Sequence, residues 1–95
     1  MRRDPCTGLY YPYYSVTQEL WNPKAESYDG TRIADVQTYE EALSILKNTT
    51  VNRDLFQLEI IENYEEHSKV IAEKVATDDS KGYFFWNPQT EEELD

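Results

Sequence analysis

Residues 55–77 decide what this chain can fold into. Two apolar runs there flank a polar one, Glu62-Asn63-Tyr64-Glu65-Glu66-His67-Ser68-Lys69. Read as one helix, Leu58, Ile61, Ile71 and Val75 share a stripe, and Glu65 and Lys69 make a favourable pair one turn apart. Two helical turns would then have only Tyr64 to bury. Such a helix would also be roughly 35 Å long, about the full diameter of a domain this size. Read as a hairpin, Phe56, Leu58 and Ile60 alternate on one strand. Ile71 and Val75 alternate with Val70, Ala72 and Ala76 on the next, and the polar run becomes an exposed loop. The hairpin is the preferred reading.

The flanking segments fit a sheet with one helix. Tyr14, Val16, Gln18 and Leu20 alternate with Tyr13, Ser15, Thr17, Glu19 and Trp21, which predicts a strand over 13–21 ended by Asn22-Pro23. Residues 22–30 are rich in breakers, and Asp29-Gly30 reads as a turn pair. A second strand is expected over 31–37. Thr38-Tyr39-Glu40-Glu41 is a capping-box pattern, with two carboxylates at the positive end of the helix dipole. Behind it Tyr39, Ala42, Leu43 and Leu46 lie on one stripe with Ile45 at its margin, which predicts a helix over 39–48. The aromatic run 83–86 either adds a short edge strand or folds back over the core. Trp-Asn-Pro occurs at 21–23 and again at 86–88, as two strand ends closed by Asx-Pro turns. The expected fold is α+β: a mostly antiparallel sheet of four to five strands in the order β-β-α-β-β, with one main helix on one face. Residues 10–88 form the single domain, 1–9 a flexible arm and 89–95 a disordered acidic tail.

Charge narrows the function classes. The net charge is −10, from 19 acidic and 9 basic residues. Residues 1–37 hold five acids and four bases, whereas 38–95 hold fourteen acids and five bases. That imbalance disfavours direct binding of nucleic acid or of anionic membranes, which need Lys and Arg. It favours a basic protein partner. No stretch approaches the roughly 20 apolar residues that cross a bilayer. Arg2 and Arg3 have no apolar run behind them, so no signal peptide is expected. Cys6 is the single cysteine and has no partner for an internal disulfide, so a cytoplasmic location is expected.

The catalytic inventory is thin. His67 stands alone beside Glu65 and Glu66, Cys6 has no base near it in sequence, and Gly8, Gly30 and Gly82 make no phosphate loop. No metal-ligand spacing is matched. The chain is therefore expected to be no enzyme and to carry no cofactor or metal. Eight tyrosines and two tryptophans offer large contact area at low entropy cost, and beside carboxylates they suit an arginine-rich partner.

The leading expectation is thus a non-enzymatic acidic protein-binding module. Its contacts would be Glu59, Glu62, Glu65 and Glu66 on the hairpin and its loop, with Asp78 and Asp79 in a steering field. In size, acidity and arrangement the chain resembles the accessory proteins of phages and mobile elements. Several inhibitors of host nucleases in that group present acidic surfaces that occupy DNA- or RNA-binding grooves. The resemblance implies an anti-CRISPR or anti-restriction type of inhibitor, with a nucleic-acid-handling protein as partner in the host cytosol. Two alternatives stand beside it. One is a homodimer assembled through strand edges bearing Tyr11, Tyr13 and Trp21; the other is a module that sequesters a small ligand such as a nucleotide.

Overall fold

In the computed structural model, which describes residues 2–94, the 55–77 segment is a hairpin. Its strands are β3 (Leu55–Asn63) and β4 (Ser68–Ala76). The polar residues between them form the loop, closed by the Tyr64 N–H donating to the His67 carbonyl at 2.8 Å. The remaining elements are β1 (Tyr13–Asn22), β2 (Ser27–Val36), α1 (Tyr39–Asn48), β5 (Tyr83–Asn87) and β6 (Glu92–Glu93). All six strands join one antiparallel sheet in the order β2-β1-β3-β4-β5-β6. The fold is α+β as expected, with one strand more than anticipated.

Three stretches differ from expectation, each for a local reason. The chain reverses at 23–26 rather than at Asp29-Gly30. The Asn22 side chain accepts the N–H groups of Lys24 and Ala25 (3.1 and 3.3 Å), and Glu26 takes a φ of 52°. With the turn made early, Asp29 and Gly30 sit inside β2 opposite Leu20 and Glu19. The second Trp-Asn-Pro works the same way, Asn87 accepting the Gln89 N–H at 2.8 Å. That turn leads into β6 where a disordered tail was expected. The Leu94 N–H donates to the Phe85 carbonyl at 2.8 Å, and its side chain packs against the core. One leucine among the acids gives the tail something to bury.

The first residues pack on the sheet instead of standing off it. Asp4 is buried and accepts the Tyr13 hydroxyl and the Cys6 N–H, and the Asp4 N–H reaches the Leu9 carbonyl at 2.8 Å. Gln37 clamps Tyr10 from both sides, accepting its N–H (2.9 Å) and donating to its carbonyl (2.7 Å).

The helix begins where its cap is. Thr38 Oγ1 accepts the Glu41 N–H (3.3 Å), and the Thr38 hydroxyl donates to the Glu41 carboxylate (3.0 Å). The stripe then delivers Ala42 and Leu46 into a core completed by Val16, Val51, Leu58, Ile60, Ala72 and Phe85. At the other end, buried Lys74 donates from Nζ to the carbonyls of Leu46 (3.2 Å) and Thr49 (2.7 Å). This satisfies acceptors that a helix terminus leaves open. The helix lies over β1, β2 and β3; among the described residues the opposite face carries no helix, and the N-terminal arm covers it only at the Tyr13 end, where Asp4 and Tyr13 are buried together.

Candidate functional site

Side chains along a strand alternate between faces. Since Val16, Leu58, Ile60, Ala72 and Phe85 point to the helix, their neighbours point away from it. Strand register then aligns those neighbours across the sheet. One row takes a residue from each strand in turn: Arg32, Thr17, Glu59, Glu73, Trp86 and Glu93. The adjacent row is Gly30, Glu19, Gln57, Val75 and Phe84. The open face therefore carries three central carboxylates, from Glu19, Glu59 and Glu73, with the Phe84 and Trp86 rings at one side and Glu93 beyond them on β6.

Glu59 and Glu73 are direct cross-strand partners, an arrangement of like charges that costs free energy. Both are half-buried. Burial pushes the Glu59 carboxyl above its ordinary range, and the charges of Glu73 and Glu19 push it further. Each member of the pair has one neutral donor: Gln57 Nε2 reaches Glu59 at 2.9 Å, and the Trp86 indole N–H reaches Glu73 at 2.9 Å. Among the described residues, no ammonium or guanidinium lies within 4.0 Å of Glu19, Glu59 or Glu73. Arg32, the one base in the row, is paired with Asp35 at 3.6 Å. The outcome is an aromatic-flanked sheet surface whose central carboxylates have no cation within 4.0 Å among the described residues.

The residues singled out from the sequence fall in three places. Only Glu59 lies in this carboxylate row. Glu62 is on the helix side, where it accepts the hydroxyls of Tyr14 (3.0 Å) and Tyr64 and sits 3.7 Å from Lys69. Burial, and then the bond to Glu62, pushes the Tyr14 hydroxyl up to about 12. Glu65 and Glu66 are exposed at the β3–β4 loop and line a shallow groove with Tyr11, Pro12, Tyr64 and His67, and Glu65 pairs with Arg2 at 2.9 Å. Tyr13 is buried against Asp4 and offers no surface, since a hydrogen-bonded carboxylate beneath the sheet end draws its hydroxyl inward. Burial, then the Asp4 contact, pushes that hydroxyl up to about 12.

The rest lie at the far end of the sheet. Trp21 is exposed there, edge-on to Tyr28 at 5.2 Å. Asp78 is exposed, whereas Asp79 is occupied in its own loop, accepting from the Thr77 hydroxyl and the N–H groups of Lys81 and Gly82. Those bonds hold its carboxyl below the usual range. The edge-pairing alternative also meets the topology: β1, which carries Tyr13 and Trp21, is paired on both sides, so the long edge strand is β2.

Glu19, Glu73, Phe84 and Trp86 belong to the surface but were not singled out. The signal available was strand alternation, which places Glu73 outward between Ala72 and Lys74. That it faces Glu59 is a matter of register. Among the described residues no group of three or more His, Cys, Asp or Glu side chains is arranged to hold a metal ion. His67 stacks on Tyr64 at 4.7 Å, and Cys6 is exposed. No protein-family model, curated protein or solved structure matches the chain.

Proposed function

We propose that the chain is a non-catalytic docking module whose helix-free sheet face binds an arginine-bearing segment of a protein that handles nucleic acid. The observation that carries this reading is the Glu19–Glu59–Glu73 cluster, half-buried and without a cationic partner. A guanidinium set between Glu59 and Glu73 relieves their mutual repulsion and can lie against the Trp86 ring. Phe84, at 40% exposure, adds apolar contact beside it. Proteins that hold phosphate backbones display Arg and Lys in clusters, so they are the partner class that meets such a face. The surrounding excess of acid adds long-range attraction that weakens with salt. An inhibitor that covers the nucleic-acid groove of a defence nuclease is the extended form of this reading.

The test is titration of the labelled full chain with a short Arg-Gly repeat peptide, followed by NMR at two salt concentrations. Shifts centred on Glu59, Glu73 and the Trp86 indole N–H, weakened at least tenfold by Glu59→Gln with Glu73→Gln, support it. The exposed-loop variant Glu65→Gln with Glu66→Gln should leave the affinity unchanged. Shifts centred on the 64–67 loop, or an affinity indifferent to salt, refute it.

A further inference from the structure

On the helix side of the same sheet the sign of the charge reverses. Leu46, Lys47, Lys74, Tyr83 and Phe85 line a cavity of about 220 Å³ between the end of α1 and strands β4 and β5. A neighbouring hollow shares Lys47, Lys74 and Tyr83 and extends to Lys81. Three of the nine basic residues of a −10 chain thus converge on one place. The Nζ atoms of Lys74 and Lys81 lie 4.8 and 4.9 Å from the centroid of the Tyr83 ring. Among the described residues, neither Lys47 nor Lys74 has a carboxylate within 4.0 Å.

We propose that this pocket binds a compact dianion of the phosphate-monoester class. Lys74 uses two of its three donors on the carbonyls of Leu46 and Thr49, which leaves one for a ligand. The helix end beneath it carries only about half a negative charge, against three ammonium groups. The acid facing the pocket from its own loop is Asp79, which interacts with Lys81 and is also held by three hydrogen bonds. Lys81 is thus already engaged, and the charge offered to a ligand comes chiefly from Lys47 and Lys74. Burial holds the Lys74 ammonium below its ordinary range, and a bound anion would restore it.

Size and lining select the ligand class. A cavity of 220 Å³ is below the range of about 300–1,000 Å³ that takes drug-sized molecules. It suits one phosphate with a small apolar body lying on Leu46 and Phe85. Two ammonium groups without a carboxylate partner among the described residues, with Lys81 beside them, suit a group carrying about −1.5 to −2 charge better than a single carboxylate. The two lysines gathered at Tyr83 crowd that ring, so the pocket selects by charge more than by stacking. This site is independent of the sheet-face reading and stands or falls separately.

The experiment is an NMR titration of the full chain with phenyl phosphate, with inorganic phosphate and acetate as parallel arms. Saturable shifts at Thr50, Gly82 and Tyr83 are expected, with affinity falling at least tenfold in Lys47→Gln with Lys81→Gln. Both lysines are exposed, so an unchanged spectrum elsewhere confirms that the variant folds. Saturation by phenyl phosphate alone marks the apolar body as needed, and saturation by both phosphates marks the phosphate as sufficient. Non-saturating shifts, or affinity unchanged in the double variant, overturn the site. Acetate binding as tightly as phosphate overturns the dianion assignment.

Discussion

Replacing Glu59 by glutamine should make the free protein more stable while it weakens docking. The substitution keeps the side-chain shape, and its amide oxygen can still accept from Gln57 Nε2, which lies 2.9 Å from the native carboxylate. What it removes is a charge facing Glu73 directly across β3 and β4. Side chains so paired start about 5 Å apart, where two unit charges in water repel by about 0.8 kcal/mol. Half-burial raises that figure, and splaying of the long side chains with solvent screening lowers it. A gain of about 0.5–1 kcal/mol is therefore expected at pH 7, or roughly 2–8 °C in Tm for a domain of this length.

The pH dependence shows whether the gain comes from the Glu59 charge, through its burial and its repulsion by Glu73 and Glu19. Because the Glu59 carboxyl is raised in the folded state, it binds its proton more tightly there than in the unfolded chain. Its stabilising contribution is full below the ordinary value of 4.5 and is lost as pH rises through the raised one. Native protein and variant should therefore converge near about pH 3.5, where the carboxyl is protonated in both states. Urea denaturation at pH 7 and at pH 3.5 checks this. A variant no more stable at pH 7, or a gain that persists at the acidic pH, would show that the Glu59 charge costs no stability at this position.

Two substitutions probe the layer beneath. Leu46→Ala empties a fully buried position at the centre of the helix–sheet contact and should cost about 2–5 kcal/mol in urea unfolding. Thr38→Ala removes the oxygen that caps the Glu41 N–H and should cost about 1 kcal/mol, read by the same denaturation with the m-value unchanged.

Features written in adjacent residues were legible from the sequence. Thr38 and Glu41 mark the start of a helix because capping operates within one turn, and the helix runs over 39–48 as expected. The hairpin at 55–77 was legible because a polar run of eight residues has no place on a buried helix. Asp29-Gly30 misled because a turn pair is only permissive, and Asn22 had already turned the chain. The charge excess pointed to the hairpin and its loop, yet Glu62 is engaged by two tyrosines and Glu65 by Arg2. The Glu59–Glu73 pairing depends on register, which two strands set between them through core fit. Tyr13 counted as interface because strand alternation alone does not reveal Asp4 waiting beneath it.

The order β2-β1-β3-β4-β5-β6 has a consequence for how the domain comes apart. Every neighbouring pair of strands is consecutive in sequence except β1 and β3. That seam joins a two-stranded half to a four-stranded half, and α1 is part of the tether between them. Yet the core is common property: Val16 comes from the first half, Leu58, Ile60, Ala72 and Phe85 from the second, and Ala42 and Leu46 from the tether. Separating the halves would strip each of the apolar surface it folds against. The shared core makes each half depend on the other, so a sheet built almost wholly from local pairings is expected to unfold as one unit across its one long-range seam.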